Sequence, residues 1–138
     1  MKDISYLKLC ETAAKVSENA YAPYSECFVG AALLTKSKKV FTGANIENAS
    51  FPAGICAERS AFCAALSANE REFEAIAIAG GKNKTFSPDF MPCGICRQFI
   101  SEFVSDDFKI LIYSGNDFKQ YTMSELLPHS FSGSEVKK

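Results

Sequence analysis

Two short segments of the 138-residue sequence carry side chains that could hold a metal and move protons: Pro92-Cys93-Gly94-Ile95-Cys96 and Cys56-Ala57-Glu58-Arg59. Each opens a stretch with helical spacing. Thiolates at i and i+3 lie about 60° apart around a helix, so Cys93 and Cys96 can reach one ion. The same C-x-x-C spacing also suits a thiol–disulfide redox pair. Residues two apart lie about 200° apart around a helix, so Cys56 and Glu58 cannot share a flank. Both can address a point beyond the helix's N-terminal end. A metal there would take Cys56 and leave Glu58 unliganded beside it. Three protein ligands, one open position for water and one free carboxylate are what hydrolytic zinc chemistry requires. A closed structural site would need a fourth ligand from His129, Cys10, Cys27 or Cys63, none at ligand-pair spacing from another.

Zinc bound by three thiolates carries net negative charge, a weak activator of water. Two helix N-termini aimed at it would supply roughly +0.5 charge each, and the Arg59 guanidinium could withdraw more by hydrogen-bonding a thiolate. That compensation is partial, which makes Glu58 the indispensable proton acceptor.

The elements that must position these residues follow from hydrophobic spacing. Residues 3–20 read as a helix with Leu7, Cys10 and Ala14 on one stripe and Ala13, Val16 and Ala20 beside it, ended by Pro23. Residues 28–35 and 40–46 read as strands joined by a polar turn. A helix over 57–68 follows, apolar all round along Ala61–Leu66 and so expected to be buried on every side. A strand over 73–79 is stopped by Gly80-Gly81. A helix over 93–104 has Cys96, Phe99, Ile100 and Phe103 on one face. Strands at 108–113 and 118–121, a short helix at 123–127 and a polar tail from about 132 complete the chain. The order implies a layered α/β domain, three layers α-β-α around a mixed five-stranded sheet, with residues 1–138 as one domain. The connection 80–92 is the one long loop, a place where function or mobility concentrates.

Composition narrows the class. The sequence has 47% hydrophobic and 22% charged residues, ordinary for a globular domain, and 15 Lys+Arg against 16 Asp+Glu. A net charge of -1 makes nucleic acid an unexpected main partner. No apolar run approaches a membrane span and the first 15 residues lack a signal-peptide core, so the expected compartment is the cytoplasm. There the six cysteines stay reduced.

Taken with Tyr21-Ala22-Pro23-Tyr24-Ser25, Val29-Gly30-Ala31-Ala32-Leu33, Asn45-Ile46-Glu47-Asn48-Ala49 and Leu126-Leu127-Pro128, the two cysteine segments resemble the small, homotetrameric, three-cysteine cytidine deaminases over nearly the whole chain. The resemblance implies that Cys56, Cys93 and Cys96 bind one zinc per subunit, and that a hydroxide at its open position attacks C4 of cytosine. Glu58 would shuttle protons to N3 and to the leaving amine, giving a uracil nucleoside and ammonia. It further implies that Ala57 contacts the base, and that Asn45 and Glu47, with Ile46 between them, grip the ribose of a free nucleoside. Partner chains would complete each site, with Phe131 lent by a neighbour.

Two departures stand out. The family usually places a base-stacking Phe where this chain has Cys27, with Phe28 one residue on. Adjacent strand residues point to opposite faces, so Phe28 either faces away or is swung in by a bulge. Phe51, close to Ala49, stands where a tyrosine is often found.

Overall fold

In the computed structural model, which describes residues 5–137, the elements run α1 (Tyr6–Val16), β1 (Cys27–Thr35), β2 (Val40–Ala44), α2 (Ala57–Ser67), β3 (Phe73–Lys82), α3 (Gly94–Ser101), β4 (Lys109–Tyr113), β5 (Phe118–Thr122), α4 (Met123–Leu126) and α5 (Gly133–Val136). One five-stranded sheet has the order β2-β1-β3-β4-β5. It is mixed: β3 and β4 are parallel and the other three pairings antiparallel. A parallel pair needs a crossover, and the segment carrying α3 supplies it.

Both faces of the sheet are covered. Leu9, Cys10 and Ala13 of α1 pack on Ala32, Leu34, Ala77 and Leu111. On the other face Ala61, Phe62 and Ala65 of α2 and Ile100 of α3 pack on Leu33, Ile76, Ile78 and Ile110. Successive residues of β1 therefore serve opposite layers, as a period of two dictates. Phe62, fully buried, has the rings of Phe73, Phe99, Phe103 and Phe108 at centroid distances of 5.0 to 6.3 Å. The three-layer α/β architecture expected from the sequence is present.

Several boundaries and faces differ from expectation. Residues 3 and 4 of the first helix lie outside the described residues. The helix begins at Tyr6, where the Ser5 side chain caps the Lys8 N–H, and ends at Val16, followed by a 3-10 turn over Ser17–Asn19. It thus stops well before Pro23. Its buried stripe is Leu9, Cys10, Ala13 and Ser17, with Leu7 on the solvent side. Ser17 can face inward because its hydroxyl donates to the Ala14 carbonyl at 2.5 Å; a polar residue in that stripe disguised it. β2 ends at Ala44, and Ile46 instead makes isolated bridges to Tyr21 and Ile55. β3 runs through Gly80 and Gly81, which pair with Val29 and Phe28. On α2, Cys63 and Ala64 are exposed in the single chain. The polar tail holds the short helix α5.

Gly43 sets how closely α2 sits on the sheet: a Cβ there would lie 2.5 Å from the Ala61 nitrogen and 2.8 Å from the Ala57 oxygen. Gly43→Ala is expected to destabilise the fold by about 2–3 kcal/mol, because backbone must move. Gly94→Ala, where a Cβ meets nothing within 4 Å, should change stability by less than about 0.5 kcal/mol. Urea unfolding midpoints of the two variants check both.

Candidate active site

Two helices begin at one place. Cys56 and Cys93 are the N-cap residues of α2 and α3, in extended backbone (φ −78°, ψ 156° and φ −69°, ψ 170°), and neither side chain caps its helix. Cys96, buried, lies in the first turn of α3. The sulfurs of Cys56, Cys93 and Cys96 all lie within 4.8 Å of one another. Tetrahedral zinc, with Zn–S near 2.3 Å, spaces its sulfurs about 3.8 Å apart, so this trio suits a single ion. Among the described residues no other group of three or more His, Cys, Asp or Glu side chains meets that criterion.

The surroundings favour a thiolate at Cys56. Cys56 and Cys93 sit at helix starts, where the unpaired first-turn N–H groups carry partial positive charge. Arg59 Nη2 donates to Cys56 Sγ at 3.8 Å, while its Nε is buried with no hydrogen-bond partner. The Cys96 thiol, donating to Cys56, draws the Cys56 pKa down to about 5, with Arg59 and Cys93 adding to the effect. Cys96, the donor of that shared proton, is pushed up. Three sulfurs form a donor set suited to zinc, and the half-buried Arg59 guanidinium beside Cys56 offsets part of their negative charge.

Glu58, on the first turn of α2, is 4% exposed. Burial pushes its carboxyl up to about 7, and the charge on Cys56 adds to the rise. The folded protein therefore holds this proton at pH values where the unfolded chain has released it. The burial costs stability progressively as pH rises from the usual carboxylate range toward 7. Its carboxylate falls outside the sulfur trio.

Both halves of this arrangement line one cavity of about 480 Å³. The segment Asn45–Glu47 lines the same cavity and is clamped on both sides. Tyr21 N donates to the Asn45 carbonyl (3.0 Å), Glu47 N to that of Tyr21 (2.8 Å), and Ile46 and Ile55 exchange two backbone bonds. Asn45 Oδ1 accepts from Val29 N at 2.9 Å and its Nδ2 donates to the Cys27 carbonyl at 2.8 Å. One amide N–H and one lone pair remain for a ligand. Glu47 Oε1 accepts from the Tyr24 and Ser25 nitrogens (2.9 and 3.1 Å), and Oε2 accepts from the Ser25 hydroxyl. The Ser25 hydroxyl, with those two N–H groups, holds the Glu47 carboxyl below its ordinary value.

Cys27, Asn45, Ile46, Glu47, Phe51, Cys56, Ala57, Glu58, Arg59 and Cys93 all line the cavity, and Cys96 completes the sulfur trio behind it. Phe51, 73% exposed, meets the Tyr24 ring edge-on at 5.5 Å at the rim. Phe28 is not among the lining residues. The β1–β3 register is unbroken around it, shifting only at Leu34/Thr35, so no bulge swings it inward. Its ring carries Lys84 Nζ 5.5 Å from the centroid instead. Ala49 is exposed and outside the cavity wall. Phe131 also lies outside it, its carbonyl accepting from Gln98 Nε2 at 3.0 Å. The structure adds Tyr24, Ser25, Phe90 and Met91 to the lining. Ser25 could have been found from its place in Tyr21–Ser25. Phe90 and Met91 carry no signal beyond preceding Pro92-Cys93.

Comparison with known proteins points the same way. Residues 3–112 match the family described as the cytidine and deoxycytidylate deaminase zinc-binding region. A cytidine deaminase of Halalkalibacterium halodurans is 42% identical over 131 residues, 93% of this chain and 95% of that one. One from Sporosarcina psychrophila is 38% identical over 94% of this chain and 93% of its own length. The crystal structure of cytidine deaminase from Burkholderia pseudomallei superposes with a TM-score of 0.85 at 40% identity, covering 93% of this chain and 100% of that one.

Purified protein is expected to retain zinc through exhaustive dialysis. Cys96→Ala should lose most of it, while Cys63→Ala, on the exposed face of α2, should retain the full complement. Metal analysis of the dialysed proteins checks both.

Proposed function

The chain belongs to the cytidine and deoxycytidylate deaminase family, and on that premise we propose that it hydrolyses the 4-amino group of cytidine and 2′-deoxycytidine to give uridine or 2′-deoxyuridine and ammonia. The observation that carries this reading is one cavity lined by Cys56 and Cys93 of the sulfur trio, by the buried carboxyl of Glu58 and by the Asn45–Glu47 clamp. Zinc bound by Cys56, Cys93 and Cys96 supplies a Lewis acid that makes a water nucleophilic near neutral pH.

The chain's own residues do the rest. Glu58 takes a proton from the attacking water, delivers it to N3, and helps protonate the departing amine. A carboxyl whose pKa burial raises to about 7 can accept and return a proton near neutrality. Arg59 holds negative charge on Cys56. Ala57, buried under the cavity floor, meets the base. Asn45 uses its remaining N–H and lone pair, and Glu47 its carboxylate, on the sugar hydroxyl. An ionised Glu47 at that end repels phosphate, and Arg59, turned toward Cys56, is the sole cation among the described lining residues. Both features favour a free nucleoside over a nucleotide.

We also read the protein as one domain over 1–138 that assembles as a homotetramer with shared sites. In support, Phe51 (73% exposed), Ile95 (66%) and Phe131 (61%) present apolar side chains around the two helix starts, and the Cys63–Ala64 side of α2 is uncovered in one chain. Phe131, held to α3 through Gln98 and outside its own chain's cavity, is the residue this reading lends to a neighbour's site. Cytoplasmic residence suits thiols that must stay reduced, and all six cysteines are unpaired. Among the described residues no helix is long and apolar enough to cross a membrane.

Glu58→Gln should keep its zinc while cytidine turnover, followed by loss of ultraviolet absorbance, falls by about 10²–10⁴-fold. Full activity in that variant would overturn the assignment. Sedimentation should give four times the 15.1 kDa chain mass, and Phe131→Ala should raise KM without removing zinc.

A further inference from the structure

A pyrimidine ring is flat, and a site that holds it firmly offers an aromatic face. On β1 the cavity wall is Cys27 and Val29, and Phe28 points to the other side. Of the aromatic residues lining the cavity, Tyr24 and Phe51 are largely exposed and engage each other at the rim. The remaining one is Phe90, three residues before Cys93 on the loop that leads into α3.

Resting on the functional reading above, we propose that Phe90 is the residue of this chain that contacts the face of the cytosine ring, taking the place of an aromatic on β1. Its ring is held by the fold. A Cβ on Gly80 would lie 2.8 Å from Phe90 Cδ1 and 3.1 Å from Cε1, and 3.1 Å from Val29 Cγ1. The ring therefore rests on the bare Gly80 backbone, next to Val29. Gly80 pairs directly with Val29 in the sheet, so the ring sits beside the Cys27–Val29 wall.

The loop is pinned there as well. Ser87 N donates to the Gly80 carbonyl at 2.9 Å, Asp89 N to Ser87 Oγ at 3.1 Å, and Phe90 N to the Ser87 carbonyl at 3.3 Å. On the far side Arg97 Nε donates to the Pro92 carbonyl at 2.8 Å. A half-buried ring packed on the core and anchored on both flanks is pre-organised, so little entropy is lost when a base settles on it.

The test separates a π contact from simple packing. Phe90→Leu keeps an apolar side chain without the aromatic face; Phe90→Tyr keeps the face. Uridine binding to the zinc-loaded protein, measured by calorimetry, should weaken about tenfold in Phe90→Leu and stay within about twofold in Phe90→Tyr, with zinc content unchanged and both variants folded at the assay temperature. Cytidine KM should rise in parallel while kcat falls by less. Phe90→Met serves as the ring-less variant if Phe90→Leu does not fold. Uridine affinity equal to the unsubstituted protein in a folded ring-less variant would overturn the assignment of Phe90. Cytidine turnover by the unsubstituted protein, run alongside, keeps the two readings apart. Its absence would overturn the functional reading, whereas turnover with undiminished uridine binding in the ring-less variant would overturn the Phe90 assignment alone.

Discussion

The site depends on one electrostatic requirement: three sulfurs must be gathered within 4.8 Å of each other, beside a buried carboxyl, with positive charge close enough to offset the negative charge they carry when they bind a metal. Two helix starts satisfy it. α2 and α3 come from opposite sides of β3 in the chain, yet both present an N-cap cysteine whose side chain is unused for capping. The unpaired N–H groups of the first turns and the Arg59 guanidinium supply positive charge where the sulfurs gather. A divalent ion held by the three sulfurs would complete that balance, and Arg59 Nε is buried without a hydrogen-bond partner.

The sheet makes this convergence possible. β1 and β3, each buried on both faces, form a floor on which α2 and α3 lie side by side through Ala61, Phe62, Ala65 and Ile100. Small residues bring the helices close: Ala57, Ala61 and Ala65 line the buried side of α2, and Gly43 leaves room for its backbone. The second half of the site is built differently, from irregular chain. Asn45 and Glu47 extend beyond the end of β2, and side-chain bonds to Val29, Cys27, Tyr24 and Ser25 hold them. The cysteine-bearing helix starts and the hydrogen-bonded Asn45–Glu47 segment line one cavity.

Much of this was legible in the sequence because the chemistry sits in short contiguous segments. Cysteines at helix starts, and Glu58 two residues after one of them, can be located from local spacing alone, and the α/β alternation gave the layers. What escaped depended on contacts between distant segments. The buried stripe of α1 differs from the one its apolar spacing predicts because Ser17, polar in sequence, is satisfied by the Ala14 carbonyl once the helix forms. Gly80-Gly81 reads locally as a strand stop, yet both residues pair with β1, and the missing Cβ of Gly80 serves a ring ten residues away. Phe90 itself has no local signature, since its place is fixed by where the 80–92 loop folds back.

The chemistry rests on zinc held by Cys56, Cys93 and Cys96, with Glu58 beside it and unbound. X-ray absorption at the zinc edge measures that shell. The account predicts three sulfurs near 2.3 Å and one oxygen or nitrogen neighbour, with the same spectrum in Glu58→Gln. A four-sulfur shell, or a light-atom neighbour that disappears on replacing Glu58, would contradict it.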